Sequence, residues 1–153
     1  MIRHKQLYRH NPATGEIGDC FRTCLACVLD AERVEDIPHF LADAWPPGEL
    51  DPDIAGLVIT SAQKWLLENS DYGYFEFPVG ASNNEQLFNW LQSYCSARTP
   101  LIVGCTSKNG GHAVVVFPDG EIWDPALDNS GMLGPMKDGY YWIGCVTYRG
   151  KTE

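Results

Sequence analysis

A chain of 153 residues with 44% hydrophobic and 12% aromatic side chains can bury one core, which predicts a single domain over residues 1–153 and excludes a disordered class. The formal charge of −9, with 11 Lys and Arg against 20 Asp and Glu, argues against a nucleic-acid partner, whose backbone is bound by clustered cations. No apolar run approaches the ~20 residues of a membrane span, and the opening MIRHKQLYRHNP lacks the apolar centre of an export signal; the expectation is a cytoplasmic protein without a membrane partner, its six cysteines reduced.

In chain order, Met1 to Ile17 reads as a polar extended segment and a loop, punctuated by Pro12 and Gly15. The stretch GDCFRTCLACVLD, Gly18 to Asp30, then places Cys20, Cys24, Leu25, Cys27, Val28 and Leu29 at helical spacings. Gly18 supplies a turn and Asp19 an N-cap, so a helix is expected to begin at Cys20. The unpaired N–H groups and partial positive charge of a helix start favour a thiolate and are expected to bring the Cys20 pKa below ~8.5.

Val34, Ile37, Pro38 and Phe40 suggest a further short helical turn before a proline-rich loop, Trp45-Pro46-Pro47-Gly48. Asp51 as N-cap with Pro52 behind it opens a helix over about residues 52 to 68, with Ile54, Leu57, Val58, Ala62, Trp65 and Leu66 on one face. Tyr72 to Val79 alternates like a half-buried strand. Ser82 and Glu85 form a capping box for a helix through Leu87, Phe88, Leu91, Tyr94 and Cys95. From Pro100 onward the pattern is strand-like, over Leu101 to Cys105, Gly111 to Phe117, Glu121 to Asp124 and Tyr140 to Tyr148. The layout predicted is α+β, with N-terminal helices packed on a C-terminal antiparallel sheet.

A cysteine at a helix start acquires chemistry when a histidine can act as its base and a carboxylate can fix the ring. His112 follows Gly110-Gly111 at the head of a valine-rich strand, where small residues leave room for a substrate backbone. Asp124 lies twelve residues on (124 − 112), before Pro125, which biases it to an extended backbone. Asp128 or Asn129 could take the place of Asp124. His4, His10 and His39 have no partner pattern and read as surface or loop residues, while Cys24, Cys27, Cys95, Cys105 and Cys145 read as small core residues. Gly110-Gly111 is no phosphate loop, because neither a lysine nor a helix start follows it.

The spacing C-x3-C-x2-C at Cys20, Cys24 and Cys27 resembles the cluster motif of radical S-adenosylmethionine enzymes. The helical pattern through Arg22, Thr23, Leu25 and Ala26 opposes that reading, since three thiolates converge on a cluster only from a flexible loop. Structural zinc would need a second ligand pair at the usual distance. No metal and no cofactor are expected.

The ordered set GDCFRTCLACVLD, GGHAVVV and IWDP resembles the nucleophile helix, base strand and orienting aspartate of the papain-like cysteine peptidase superfamily. The nearest likeness is to the domains that process double-glycine bacteriocin leaders, and to small phage and bacterial proteins related to them. The resemblance implies a papain-like fold, a Cys20 nucleophile, a His112 general base and acid and an Asp124 orienter, with a peptide or protein substrate. The family also carries a glutamine a few residues before the cysteine as an oxyanion donor. The nearest here is Gln6, fourteen residues upstream (20 − 6), and if it does not reach, the Cys20 backbone N–H is the main donor. The reading is a thiol hydrolase acting on an amide, peptide or isopeptide bond. The alternatives are an acyltransferase of transglutaminase-like type and a non-catalytic peptide- or protein-binding module on the same fold. The oligomeric state is not legible.

The hairpin carrying His112 and Asp124 has two registers. If Pro118-Asp119-Gly120 is a three-residue loop, paired positions sum to 238, and His112 and Asp124 lie diagonally on one face. A two-residue turn at Asp119-Gly120 would put them on opposite faces. Proline at 118 has no N–H for a pairing position and Gly120 suits a positive φ, so the first register is expected, with the second nitrogen of His112 toward the Cys20 sulfur.

Overall fold

The computed structural model describes residues 1–46, 53–94 and 99–150. In chain order the elements are α1 (Cys20–Val28), α2 (Phe40–Ala44), α3 (Ile54–Asn69), β1 (Tyr72–Gly80), α4 (Asn84–Tyr94), β2 (Leu101–Ser107), β3 (Gly110–Val116), β4 (Ile122–Trp123) and β5 (Tyr140–Tyr148). Single 3-10 turns occupy Pro12–Thr14 and Val34–Asp36. The five strands form one sheet in the order β1-β5-β2-β3-β4, every pairing antiparallel, so the fold is α+β as expected.

The strand that precedes α4 in sequence joins the sheet at its outer edge. It pairs along all its length with β5, from Tyr72 opposite Tyr148 to Gly80 opposite Tyr140. Pro78 is tolerated in an edge strand because its missing N–H need not serve a ladder. Alternation of side chains across the strands makes two cores. On one face Ile102, Ala113, Val115, Val146 and Tyr74 pack against Leu25 of α1, Phe40 of α2 and Val58, Ala62 and Leu66 of α3. On the other, Val79, Val103, Val114, Val116, Tyr141 and Ile143 pack against Leu87 and Leu91 of α4. Helices therefore cover both faces. Among the described residues no helix is long and apolar enough to cross a membrane.

One expected cap differs in detail. Asn83, not Ser82, caps α4: its side-chain oxygen accepts the Gln86 N–H at 2.9 Å, and Gln86 in return accepts the Ser82 N–H at 2.9 Å. The expected Ser82–Glu85 box is thus replaced: Asn83 caps the helix while the Gln86 side chain reaches back one residue further, to the Ser82 N–H. The expected cap at Asp51 and Pro52, the loop through Pro47 and Gly48, and Cys95 lie outside the described residues.

Gly144 of β5 carries the closest approach in the sheet, since a methyl group there would overlap the hydroxyl of the buried Tyr74, which donates to Glu76 Oε1 at 2.5 Å. Gly144→Ala should accordingly destabilise the fold by about 1–3 kcal/mol, the usual cost of overpacking a core. Urea unfolding measures it, and an unchanged midpoint would show that Tyr74 moves aside freely.

Candidate active site

The expected hairpin register is the one observed. The Phe117 N–H donates to Glu121 O at 2.8 Å, Val115 pairs with Trp123 and Val116 with Ile122, and Gly120 has φ 89°. Hydrogen-bonded pairs recur every second residue, so after 117–121 and 115–123 the next would be 113–125. Position 125 is proline. It has no N–H to donate, and its carbonyl accepts the Gln6 N–H at 2.8 Å, so β4 ends at Trp123.

The N–H of Ala113 is thereby released from the ladder at the sheet edge, where it is directed at the Cys20 sulfur. Cys20 opens α1, so the N–H groups of Cys20 and Phe21 also face the sulfur. Burial nevertheless prevails: it pushes the Cys20 thiol up to about 11, with these N–H groups acting in the opposite direction. The expectation of a pKa below the ordinary thiol range is thus corrected. Desolvation of the sulfur outweighs the helix-terminus field.

One residue back from β3's buried run, His112 Nε2 lies 2.7 Å from Asp124 Oδ1. Asp124 Oδ1 also accepts the Ala126 N–H at 2.9 Å, and Oδ2 the Gly131 N–H at 2.7 Å. Burial raises the Asp124 carboxyl, but these bonds from His112, Ala126 and Gly131 outweigh it and hold the group below the usual carboxylate range. Asp124 is therefore an anion at neutral pH and can only accept, which puts a ring proton on Nε2; in the neutral ring Nδ1 then carries the lone pair. No hydrogen bond joins Nδ1 to the Cys20 sulfur among the described contacts, contrary to expectation. The neutral thiol lies against backbone N–H groups instead.

Cys20, His112 and Gln6 line one cleft of about 470 Å³. Gln6 arrives there because residues 1–8 form a strap across α1 and the end of β4. Along it, Ile2 N–H donates to Asp30 at 3.0 Å, His4 N–H to the Cys27 sulfur at 3.2 Å, and Arg3 to Glu121 at 2.6 Å. Asp19 fixes the far end: its carboxylate, 1% exposed, accepts the Leu7 and Tyr8 N–H groups and the Arg22 Nε–H at 3.0–3.3 Å. Asp19 occupies the N-cap position, yet its side chain caps nothing; only its backbone carbonyl serves the helix, accepting from Thr23 N at 3.1 Å. Gln6 uses one of its two amide N–H groups on Tyr8 O at 3.0 Å.

The remaining candidates are placed elsewhere. Asp128 accepts from Asn109 Nδ2 at 2.9 Å and Asn129 Oδ1 from Lys5 Nζ at 2.9 Å, so neither orients His112. The three other histidines are structural pins rather than free surface groups. His4 Nε2 meets Ala31 O at 2.6 Å, His10 Nδ1 accepts the Gly18 N–H at 3.0 Å, and His39 bridges Ala42 N and Ile17 O. Burial, then His39, holds His10 below the usual histidine range, in keeping with its acceptor role. Cys24, Cys27 and Cys105 are buried and Cys145 half-buried. The C-x3-C-x2-C run is one unbroken helix, and the described residues contain no group of three His, Cys, Asp or Glu side chains that could hold a metal ion.

The fold and cleft thus define an α+β domain with a cysteine, a histidine and an aspartate gathered where a strand stops. No family model matches the chain, and no curated protein and no solved structure matches it either.

Brief treatment with iodoacetamide should mark Cys20 ahead of Cys24, Cys27 and Cys105, because only Cys20 of these four opens into the cleft. Without substrate the rate should still climb above about pH 9, as a thiol raised by burial ionises late. Mass mapping across pH reads both, and a rate already level at pH 7 would contradict the desolvated thiol.

Proposed function

We propose that this chain is a papain-like cysteine hydrolase that cleaves an amide, peptide or isopeptide bond through an acyl-enzyme on Cys20. The observation that carries the reading is the 2.7 Å bond from His112 Nε2 to an ionised Asp124, which turns the other ring nitrogen into a base beside a cleft that also holds Cys20. The ordered motifs of the papain-like superfamily add support.

A thiol that stays protonated at neutral pH is activated during attack rather than before it. The Cys20 proton passes to His112 Nδ1 as the sulfur bonds to the substrate carbonyl carbon. Asp124 stabilises the imidazolium that forms, as the carboxylate does in hydrolytic triads. The developing oxyanion is met by the Cys20 N–H and by the second N–H of the Gln6 amide. Collapse breaks the C–N bond, and the leaving amine takes the proton from His112. Water then attacks the thioester, giving its proton to His112, and the carboxylic acid and free thiol are released.

p-Nitrophenyl acetate provides a test that needs no knowledge of the natural substrate. Intact-protein mass should show one acetyl group, mapped to Cys20 and absent from Cys20→Ala. His112→Ala should slow acylation by about 10²–10⁴-fold, the range for a lost general base. Acetylation at lysines alone, or a rate indifferent to His112→Ala, would remove the proposal's basis.

A further inference from the structure

Asp124 can orient His112 only while its own two backbone donors stay in place. Those donors, the N–H groups of Ala126 and Gly131, belong to the loop that follows β4, where Asn129 has φ 52°, a left-handed conformation uncommon outside glycine. This loop also has an external hold.

One side chain supplies it. Lys5 Nζ donates to Asp124 O, to Ala126 O and to Asn129 Oδ1, each at 2.9 Å. An ammonium has three N–H donors, and all three are used on this one loop. The same nitrogen lies 4.8 Å from the centre of the Trp123 ring, the last residue of β4, in cation–π range. The adjacent Gln6 N–H holds Pro125 O. Three oxygens gathered by one cation is how a bound metal ion would knit a loop; here a lysine from the strap does so.

We infer that Lys5 is a positioning residue that fixes the 124–131 loop and, through the Ala126 and Gly131 N–H groups, the carboxylate that orients His112. Its effect on acyl transfer rests on the hydrolase reading; its effect on the loop does not. The contact is long-range in sequence, 119 to 124 residues, and Lys5 touches neither Cys20 nor His112 through any described hydrogen bond.

The experiment compares the full chain with Lys5→Met, which keeps an apolar stem over Trp123, and Lys5→Ala, which empties the ammonium site. Both should raise amide exchange at Ala126 and Gly131 by about tenfold or more, as a local hold is lost. Both should also lower the p-nitrophenyl acetate acylation rate by up to about 10²-fold, the scale of a small misplacement of a catalytic group. In Lys5→Ala, added n-propylammonium should restore slow exchange and acylation, whereas tetramethylammonium, a cation without N–H donors, should not. Equal rescue by both cations, or exchange unchanged by either substitution, would overturn the inference. If neither variant folds, the wild-type chain decides: a Lys5 ammonium ¹⁵N signal that survives water exchange near neutral pH supports the hold, and its absence contradicts it. If wild-type Cys20 fails to acylate, the hydrolase reading falls, while the exchange measurement still judges Lys5.

Discussion

The hydrogen-bonded pair that β3 and β4 fail to make at Ala113 and Pro125 is the constraint on which the site depends. A ladder that ran one pair further would spend the Ala113 N–H on a neighbouring strand and close the edge where Cys20 now lies. Proline at 125 forbids the return donation, and the strap takes the carbonyl that remains. One residue upstream, Asp124 keeps the sheet's face parity and meets His112 diagonally. A single imino acid thus both ends the strand and leaves the carboxylate at its last ordered position.

The second determinant is the balance between burial of the sulfur and the N–H groups around it. Three N–H groups are aimed at Cys20, an arrangement that in an open setting would favour a thiolate, yet burial dominates and keeps the proton on. Asp19, buried and paired with Arg22, shows the same balance resolved differently: an arginine and two backbone N–H groups compensate the carboxylate, and the strap is tied down as a result.

Where local rules act alone, the sequence was a good guide. Pro118 and Gly120 specify the turn, the turn specifies the register, and the register places His112 beside Asp124. The helix starting at Cys20 follows from its periodicity. Long-range contacts were not legible. Residues 1–8 have no periodic pattern, and their partners lie in α1 and beyond β4, so nothing local announces that Gln6 reaches the cleft or that Lys5 holds a loop more than 115 residues away. Asp19 misled because its type and place suit an N-cap, while its side chain finds stronger partners in Arg22 and the strap. The Cys20 pKa is not legible for a related reason, since the helix start is visible in the residues but desolvation is a property of the packed fold.

Asp124 holds the ring of His112 by Nε2, and the proposed hydrolase reading requires Nδ1 to be free as the base. Long-range ¹H–¹⁵N correlation spectra of the imidazole in the full chain test this most directly, as the two nitrogens give distinct shifts with and without a proton. In the neutral ring the proton should sit on Nε2 with Nδ1 unprotonated, and that preference should relax in Asp124→Ala. A proton fixed on Nδ1, or a tautomer preference untouched by Asp124→Ala, would contradict it.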